Sequence, residues 1–339
     1  MSKRIKVGII GASGYAGEEL VRLTLSHPKI ELIKISSREL KGKRLDEVYP
    51  NLINFSDLVF CNPEPKNFYD CDFIFFATPH GFSMNIVNQF LAKKIKIIDL
   101  SADFRLKDSA IWEQFYGSPH KSIELLEDSV YGLTELNAES ISLANLVAVP
   151  GCYPTSILLA LLPVLKSSSN ILNIVSDSKS GITGAGRSNV EDYLGKDISN
   201  NFKAYGLKGH RHTAEINQLI KKESTNNIEF NFTPHMIPIM RGIYSTSYIT
   251  LEEDEQDWQI VYESFYSNYK SVLVLEEDDV PELFKVNGTN SCHLSISSSD
   301  IKNQFIVISA LDNLIKGASG QALQCFNLMC NFDIDLGLT

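Results

Sequence analysis

The sequence has no excess of positive charge and no apolar run long enough to span a bilayer. Its 339 residues contain 31 Lys and Arg against 41 Asp and Glu, a formal net charge of -10 at pH 7. This balance argues against a nucleic-acid-binding protein, which carries a basic patch, although a local Arg cluster can still bind a small anion. The longest apolar stretch, residues 157–165, falls far short of the roughly 20 residues of a membrane helix.

The chain also lacks paired cysteine motifs, internal repeats and low-complexity tracts. None of its six cysteines has C-x-x-C spacing, so neither a zinc knuckle nor a thioredoxin-like motif is present. The basic residues near the N-terminus are not followed by a long apolar segment, so we expect no signal peptide. Together these features indicate a cytoplasmic protein in a reducing compartment that binds neither membrane nor nucleic acid.

The length suggests two domains, at about 150 residues per domain. Short apolar runs alternate with helical patterns in the first third, which indicates βαβ units and a parallel sheet. The expected strands lie at 5–10, 30–35, 73–77 and 95–100, and the expected helices at 18–26 and 82–94.

After Pro150 the pattern changes to apolar alternation, which favours an α+β domain with antiparallel strands. The last segment, 317–331, is typical of a helix. Since no long linker separates the two domains, we expect them to pack closely with a site between them. The predicted strands of this part lie at 228–232, 242–251 and 305–311.

A glycine loop joins the first strand to the first helix. Glycines at 8, 11, 14 and 17 permit a tight turn and close approach of the backbone to a phosphate. The N–H groups of the helix start then face the pyrophosphate of a dinucleotide. The spacing is G-x-x-G-x-x-G rather than G-x-G-x-x-G, and a glycine-rich turn without a ligand is the alternative.

The end of the second strand indicates which dinucleotide would bind. A site for NAD places an acid there, but this strand ends in Ser36, Ser37 and Arg38, and Glu31 lies too early. Two hydroxyls and a guanidinium suit a 2′-phosphate, so the sequence predicts NADPH and NADP+. The alternative is that Arg38 is only a solvated surface residue.

Cys152 stands out among the cysteines because it precedes an apolar helix expected to start near Ile157, and Pro154 suits an early helical position. A thiol at a helix N-terminus has a lowered pKa and is a better nucleophile. The other five cysteines lie in contexts typical of structural residues. Without a base nearby, Cys152 would be an ordinary turn residue.

Two histidines, His210 and His212, can supply that base. They precede a helix that Thr213 could cap, and Glu215 would favour the helix dipole. The pair could also bind a metal, but no further Cys, His or Asp with ligand spacing accompanies it, so we predict no metal. A second glycine-rich stretch, 180–187, is either a flexible turn or a segment that approaches the nicotinamide or a phosphate.

These segments together resemble the N-acetyl-gamma-glutamyl-phosphate reductase family of semialdehyde dehydrogenase-like enzymes. They run in family order from residue 7 to residue 322, and the most specific are Gly-Cys-Tyr-Pro-Thr and His-x-His-Thr-x-Glu. The matching segments are 11–17 (GASGYAG), 99–105 (DLSADFR), 150–155 (PGCYPT), 180–187 (SGITGAGR), 209–215 (GHRHTAE), 287–290 (NGTN) and 313–322 (NLIKGASGQA).

The resemblance implies the fold class and the reaction. The fold would be α/β, with an N-terminal Rossmann-type parallel-sheet domain over 1–150 and 312–339. A catalytic and dimerisation α+β domain with a mixed sheet would cover 151–311. The reaction would be the NADPH-dependent reduction of N-acetyl-L-glutamyl 5-phosphate, a small anionic acyl phosphate, to the 5-semialdehyde in arginine biosynthesis. A homodimer or homotetramer is implied as well.

The resemblance also implies the site residues. Cys152 would be the nucleophile and His210 the acid/base, with His212 the second candidate for that role. The residues expected to bind NADPH are Gly11, Ser13, Gly14, Tyr15, Ala16, Ser36, Ser37, Arg38, Ala77, Pro79, Gly181, Gly184 and Asn313. Those expected to bind substrate are Arg105, Ser156, Arg187, Arg211 and His212, with Arg241 as a further candidate.

Two other functions remain open on the sequence. An N-acetyl-aminoadipyl-phosphate reductase would share the motifs and differ by one substrate methylene, which pockets separate by only about 1–3 kcal/mol. An aspartyl-phosphate reductase fits less well, because those enzymes usually lack Tyr-Pro after the cysteine. A catalytically silent NADP-binding regulator belongs to a different class, and the intact Cys152 and His210 argue against it.

Overall fold

A computed structural model of the chain describes residues 4–52, 57–187, 190, 201–224 and 226–338. The chain divides into two compact units. The first comprises Met1–Pro150 and Ala318–Thr339, and the second comprises Gly151–Gly317.

The first unit is built on a parallel sheet. Its strands are β1 (Ile5–Ile10), β2 (Ile30–Ser36), β3 (Phe60–Cys61), β4 (Phe73–Phe76), β5 (Lys96–Asp99), β6 (Val130–Tyr131) and β7 (Leu146–Ala148). Its helices up to residue 150 are α1 (Tyr15–Ser26), α2 (Leu45–Val48), α3 (Val87–Leu91), α4 (Ser109–Tyr116) and α5 (Thr134–Leu143), with 3-10 turns at Pro50–Leu52, Pro65–Phe68, Ser83–Asn85 and Ile123–Leu125.

The strand order in this sheet is β3-β2-β1-β4-β5-β7-β6, and each neighbouring pair is parallel. The Rossmann-type parallel sheet expected from the sequence is confirmed. The order changes direction at β1, where Ile10 lies opposite Ser36 of β2 and Phe76 of β4. The segments that follow these three strands therefore start at one edge of the sheet, where doubly wound folds bind dinucleotides.

The second unit combines helices with a mixed sheet, as expected. Its helices are α6 (Cys152–Ser167), α7 (Arg211–Glu223), α8 (Trp258–Tyr266) and α9 (Leu283–Val286), with a 3-10 turn at Ile182–Ala185. Its strands are β8 (Ile171–Ser180), β9 (Lys203–Ala204), β10 (Glu229–Met236), β11 (Ile243–Leu251), β12 (Val272–Val274), β13 (Cys292–Ser298) and β14 (Gln304–Leu311).

The strand order in the mixed sheet is β12-β13-β14-β11-β8-β10-β9. The pairs β8–β10 and β12–β13 are parallel, and the other neighbours are antiparallel. Burial alternates strictly along β11, which gives the sheet one buried face and one half-exposed face. The buried face packs on α6 through small residues, since the hydroxyl of Ser156 lies 2.9 Å from that of Ser245 and 2.6 Å from that of Ser309.

Strand β14 is followed by a π-helical turn, Ile315–Ser319, and by helix α10 (Gly320–Met329), which belongs to the first unit. Gln321 of α10 donates to the carbonyl oxygen of Gly132 at 3.1 Å. The single helix predicted at 317–331 is therefore a π turn and a shorter α-helix. Among the described residues, no helix is long and apolar enough to cross a membrane.

Candidate active site

The glycine loop between β1 and α1 has the geometry of a phosphate cradle. Gly11 has a φ of +92°, and a Cβ there would lie 2.5 Å from the carbonyl oxygen of Ala77. Gly14 is the N-cap of α1 and offers no side-chain hydrogen bond to the first turn. The N–H groups of residues 15 and 16 therefore begin a helix whose positive end is open to a ligand.

Two buried hydroxyls beside this loop have no hydrogen-bond partner among the described residues. They are Oγ of Ser36, where β2 ends, and Oγ1 of Thr78, two residues after β4. The methyl group of Thr78 lies 3.2 Å from the position of a Cβ on Gly11. An unpaired buried hydroxyl is costly unless a ligand or water supplies its partner, so these residues fit a bound dinucleotide. Thr78 was not among the residues expected from the sequence.

Arg38 lies on the surface at the end of β2, with its guanidinium carbon 5.4 Å from the centre of the Phe82 ring. Ser37 is buried, and its hydroxyl accepts a bond from the N–H of Leu40 at 3.4 Å. The N–H of Ala77 donates to the carbonyl oxygen of Ile10 at 2.8 Å. Pro79, two residues after Ala77, is exposed. The first unit thus brings the expected cofactor residues of three strand ends together. The contact of Phe82 with Arg38 could not be read from the spacing of the sequence.

Cys152 is the first residue of α6, and Gly151 is its N-cap. The expectation that this helix starts near Ile157 is wrong. Pro154 lies in the first turn, where its missing N–H would have had no helical partner, so the helix can begin before it. Cys152 is half-buried. By contrast, burial raises the pKa of Cys71 and of Cys330 to about 12, which makes those thiols inert at neutral pH.

Two side chains of α7, those of His212 and Glu215, contact Gly151, the residue before Cys152. The buried carboxylate of Glu215 accepts the N–H of Gly151 at 2.9 Å. A Cβ at position 151 would lie 2.5 Å from Nε2 of His212, so only glycine leaves room for that ring. His212 and Glu215 are three residues apart and share one face of α7. The sequence suggested only a dipole role for Glu215.

His210 caps α7 in place of Thr213, because its Nδ1 accepts the N–H of His212 at 3.1 Å. With Nδ1 as the acceptor, the neutral ring carries its proton on Nε2. Burial lowers the pKa of His210 to about 4, and the nearby Arg211 contributes. Aromatic rings surround it, with centroids 4.8 to 5.9 Å away: His212, Tyr205, Phe232 and Tyr153.

The glycine-rich stretch of the second unit follows β8 at the sheet edge where β11 begins. A Cβ on Gly181 would lie 2.7 Å from the carbonyl oxygen of Met240, so tight packing alone explains that glycine. Asn313 accepts the N–H of Gly242 at 2.7 Å and donates to Thr183 at 3.0 Å. A Cβ on Gly317 would lie 3.0 Å from Cβ of Cys152, so the 313–317 segment passes the nucleophile candidate.

The arginines expected to bind substrate lie in different settings. Arg105, in the first unit, is buried and donates to the carbonyl oxygens of Val149 at 2.7 Å and Leu100 at 2.6 Å. Arg211 is exposed at the start of α7, and Arg187 is half-buried after the glycine-rich turn. Arg241 lies 3.2 Å from the buried carboxylate of Asp312.

Ser156 lies inside the second unit, and two strand serines share its hydroxyl. It has no accessible surface to offer a ligand, and we exclude it from the substrate site. Within the part of the chain that the structure describes, no three His, Cys, Asp or Glu side chains are grouped to hold a metal ion.

Two family profiles match the chain. Residues 6–144 match the semialdehyde dehydrogenase NAD binding domain, and residues 152–313 match the semialdehyde dehydrogenase dimerisation domain. Curated relatives named N-acetyl-gamma-glutamyl-phosphate reductase include one from Ruthia magnifica subsp. Calyptogena magnifica, 46% identical over 98% of both chains. Another, from Nitrosococcus oceani, is 45% identical over 98% of both chains.

Solved structures with the same fold include aspartate semialdehyde dehydrogenases. The enzyme II from Vibrio cholerae, complexed with ASA, matches with a TM-score of 0.77 and 16% identity over 97% of this chain and 99% of that one. The enzyme from Candida albicans, solved with NADP, matches with a TM-score of 0.71 and 15% identity over the same shares. At this identity the likeness concerns the fold alone.

Proposed function

Since the chain belongs to the N-acetyl-gamma-glutamyl-phosphate reductase family, we propose that it catalyses that reduction with NADPH. The substrate would be N-acetyl-L-glutamyl 5-phosphate, and the products the 5-semialdehyde and phosphate, a step of arginine biosynthesis. The observation that carries the proposal is Cys152 at the start of α6, with the preceding residue held by His212 and Glu215. The first unit would bind the cofactor and the second would carry the chemistry.

Cys152 is the proposed nucleophile. The positive end of α6 stabilises its thiolate, which attacks the acyl carbon of the substrate. The C–O bond to phosphate breaks, phosphate leaves, and a thioester forms on Sγ. The first-turn N–H groups of α6, which have no carbonyl partner inside the helix, can bond the oxygen that gains charge.

When bound, NADPH would supply the hydride that reduces this thioester. The residues of the glycine loop, the hydroxyls of Ser36 and Thr78, and Arg38 would hold the dinucleotide. Ser13, Tyr15 and Ala16 would contribute through the start of α1. Reduction leaves a thiohemiacetal oxyanion on Sγ of Cys152. As it collapses, the C=O bond re-forms, the C–S bond breaks, and Sγ keeps the electron pair and takes a proton from the general acid.

We assign the proton transfers to His212 in preference to His210. A general acid works best with a pKa near the operating pH, whereas burial lowers the pKa of His210 to about 4. The Nδ1 of His210 is also engaged as the cap of α7. His212 lies against Gly151, one residue from the nucleophile, and the role of His210 is then to fix the start of α7.

The anionic groups of the substrate need cationic partners. Arg187, Arg211 and Arg241 are the candidates that lie in the same unit as Cys152. Arg105 donates to the carbonyl oxygen of Val149, three residues before Cys152. It would order the backbone that leads to Cys152 as well as bind substrate.

Replacement of Arg38 by alanine is expected to raise the KM for NADPH about 10- to 100-fold, because a charge-assisted bond to the 2′-phosphate is lost. The KM for NADH should stay within about twofold, since NADH lacks that phosphate. Steady-state kinetics with both cofactors measure the ratio. Arg22→Ala, which removes a partly exposed guanidinium of α1, is the matched control. An unchanged NADPH/NADH ratio in Arg38→Ala would remove the 2′-phosphate assignment.

A homodimer through the half-exposed face of the mixed sheet completes the proposal. That face presents apolar side chains on three adjacent strands, among them Val175, Tyr248 and Ile306. Half-exposed apolar residues on neighbouring strands are typical of an interface. The match to a dimerisation domain over 152–313 supports a second copy of this chain as the partner.

The substitution Ile306→Asp is expected to weaken that dimer about thirtyfold or more, because it places a charge at an apolar interface centre. Light scattering coupled to gel filtration at decreasing protein concentration measures the change. The control is Ile260→Asp, at an exposed position of α8, which should dimerise like the parent chain. If both variants keep the same mass, the interface lies elsewhere.

The test of the function is phosphate-dependent reduction of NADP+ with N-acetyl-glutamate semialdehyde. The one-carbon-longer and the non-acetylated aldehydes serve as competitors in the same assay. We expect the highest kcat/KM with N-acetyl-glutamate semialdehyde. A preference for the longer aldehyde would assign the aminoadipyl reaction, and no turnover with any of the three would leave a silent NADP-binding protein.

A further inference from the structure

The segment between β4 and α3 is anchored by one buried carboxylate, that of Asp103. Its Oδ1 accepts the N–H of Gly81 at 2.6 Å, and its Oδ2 accepts the N–H of Met84 at 3.1 Å. The hydroxyl of Ser83, between those two residues, lies 2.8 Å from the same Oδ2. Asp103 has no accessible surface, so its charge is compensated by these donors and not by water.

A second buried carboxyl, that of Asp99 at the end of β5, meets the first through Ser83. The Ser83 hydroxyl lies 2.7 Å from Oδ2 of Asp99 as well as 2.8 Å from Asp103. One hydroxyl has one proton, and it cannot donate to both carboxylates at once. When Ser83 donates to Asp103, its contact with Asp99 is favourable if the Asp99 carboxyl carries a proton, and the Ser101 hydroxyl, 2.8 Å from the same Oδ2 of Asp99, is a further donor to it.

Asp99 is the carboxyl whose protonated form the surroundings favour. Burial and, secondarily, the nearby Asp103 raise the pKa of Asp99 to about 7. Asp103 accepts two backbone N–H bonds, from Gly81 and Met84, whereas Asp99 accepts one, from Ser101 at 2.8 Å. The chain of donors runs from the Asp99 carboxyl to the Ser83 hydroxyl and then to the Asp103 carboxylate.

The anchored segment reaches the dinucleotide residues at both of its ends. Near its start, the methyl group of Thr78 lies 3.2 Å from the Cβ position of Gly11, and the buried Thr78 hydroxyl has no hydrogen-bond partner in the part of the chain that the structure describes. Near its other end, Phe82 lies between Gly81 and Ser83. The N–H of Gly81 and the hydroxyl of Ser83 both bond the Asp103 carboxylate. The guanidinium of Arg38 lies over the Phe82 ring.

We propose that Asp103 is a positioning residue for cofactor selectivity, because it holds Gly81 and Ser83 so that Phe82 supports Arg38 beside the 2′-phosphate of NADPH. This inference rests on the proposed use of NADPH and adds a residue that does not touch the cofactor. Loss of the anchor then affects NADPH more than NADH.

The two carboxyls allow a matched comparison, because Asp103→Asn and Asp99→Asn replace the same chemical group. Both carboxyls contact the Ser83 hydroxyl, at 2.8 Å and 2.7 Å respectively. An amide at 99 still donates to the Ser83 oxygen, as the protonated carboxyl does. An amide at 103 must point its NH₂ group at the N–H of either Gly81 or Met84, which leaves a donor facing a donor. The anchor should survive the first substitution and fail in the second.

The experiment measures the dissociation constants of NADPH and NADH for the wild-type chain and both variants by fluorescence titration. We expect Asp103→Asn to raise the NADPH constant about tenfold or more, the effect of one unpaired buried donor, with a smaller change for NADH. Asp99→Asn should stay within about threefold of wild type for both cofactors. Glu124→Gln, an exposed carboxylate that bonds Asn88, controls for the loss of charge.

Hydrogen exchange of the 77–84 peptide in the absence of cofactor tests the anchor separately. Exchange should accelerate in Asp103→Asn and not in Asp99→Asn. Equal NADPH binding by Asp103→Asn and wild type, or equal losses in both variants, would overturn the inference while leaving the proposed function intact. A wild-type chain that fails to bind NADPH would overturn the proposed function instead, and the selectivity role with it.

If Asp103→Asn does not fold, Phe82→Ala keeps the comparison, because it removes the ring under Arg38 and leaves the Asp103 bonds in place. It should raise the NADPH constant several-fold, in keeping with a cation–π contact of about 0.5–2 kcal/mol, and leave that of NADH unchanged. An unchanged NADPH/NADH ratio in Phe82→Ala would overturn the selectivity role.

Discussion

Replacement of Cys152 by serine is expected to lower kcat by at least about three orders of magnitude, the usual cost of removing a covalent nucleophile. A serine hydroxyl is not ionised at neutral pH even at the start of α6, and an oxygen ester accepts a hydride less readily than a thioester. Stopped-flow or steady-state oxidation of NADPH with the acyl phosphate measures the loss. Binding of NADPH should be unchanged, because serine replaces only the sulfur atom by oxygen and Cys152 has no assigned contact with the cofactor.

The matched control for this variant is Cys330→Ser. Cys330 is also half-buried, but burial raises the pKa of its thiol to about 12, so it is not a thiolate at neutral pH. Its loss should leave kcat within about twofold of wild type. A Cys152→Ser enzyme that keeps a tenth or more of the activity would rule out the thioester route.

The second large effect is expected at His212. The His212→Asn enzyme should lose about 10²–10⁴-fold in kcat, because positioned proton transfer is removed. His210→Asn should lose less, since asparagine is among the best N-cap residues and can still accept the N–H of His212. Its main effect should be a lower melting temperature, as the aromatic contacts of the His210 ring are lost.

The pH dependence of kcat/KM, which reports groups of the free enzyme, separates the two histidines further. If His210 supplied the proton, kcat/KM would decline as pH rises through about 4, where its imidazolium loses the proton. A high kcat/KM near pH 7 that is lost in His212→Asn fits the assignment to His212. A normal kcat in His212→Asn beside an inactive His210→Asn would restore His210 as the acid/base.

The strands of the first unit could be predicted closely from the sequence, because the patterns that indicate them involve residues adjacent in the chain. The strand at Ile5–Ile10 is a short apolar run followed by Gly11. The positive φ of Gly11 requires the conformational freedom of glycine. The strand at Ile30–Ser36 also agrees with the prediction to within one residue. The mixed sheet of the second unit was predicted from the alternation of apolar and polar residues after Pro150.

The features that the sequence did not predict depend on contacts between residues that are far apart in the chain. The helix expected at 82–94 is a 3-10 turn followed by the short α3, because Asp103 takes the N–H groups of Gly81 and Met84. The interior position of Ser156 follows from its two strand partners, which are 89 and 153 residues away. Sequence spacing carries no information on such pairs.

The choice between His210 and His212 illustrates the same limit at the site. The motif places both before α7, and only the fold reveals that one caps the helix while the other lies against Gly151. The spacing of His212 and Glu215 on one helix face was visible in the sequence, but its target, the residue before Cys152, was not.

In the proposed mechanism, Cys152 carries the acyl group before reduction. Mixing the enzyme with the acyl phosphate in the absence of NADPH, followed by intact-protein and peptide mass spectrometry, detects this intermediate. We expect one equivalent of phosphate released per active site and an N-acetyl-glutamyl mass increment on the peptide that contains Cys152. A protein that releases no phosphate and gains no mass on that peptide, yet oxidises NADPH when the cofactor is added, would contradict this mechanism.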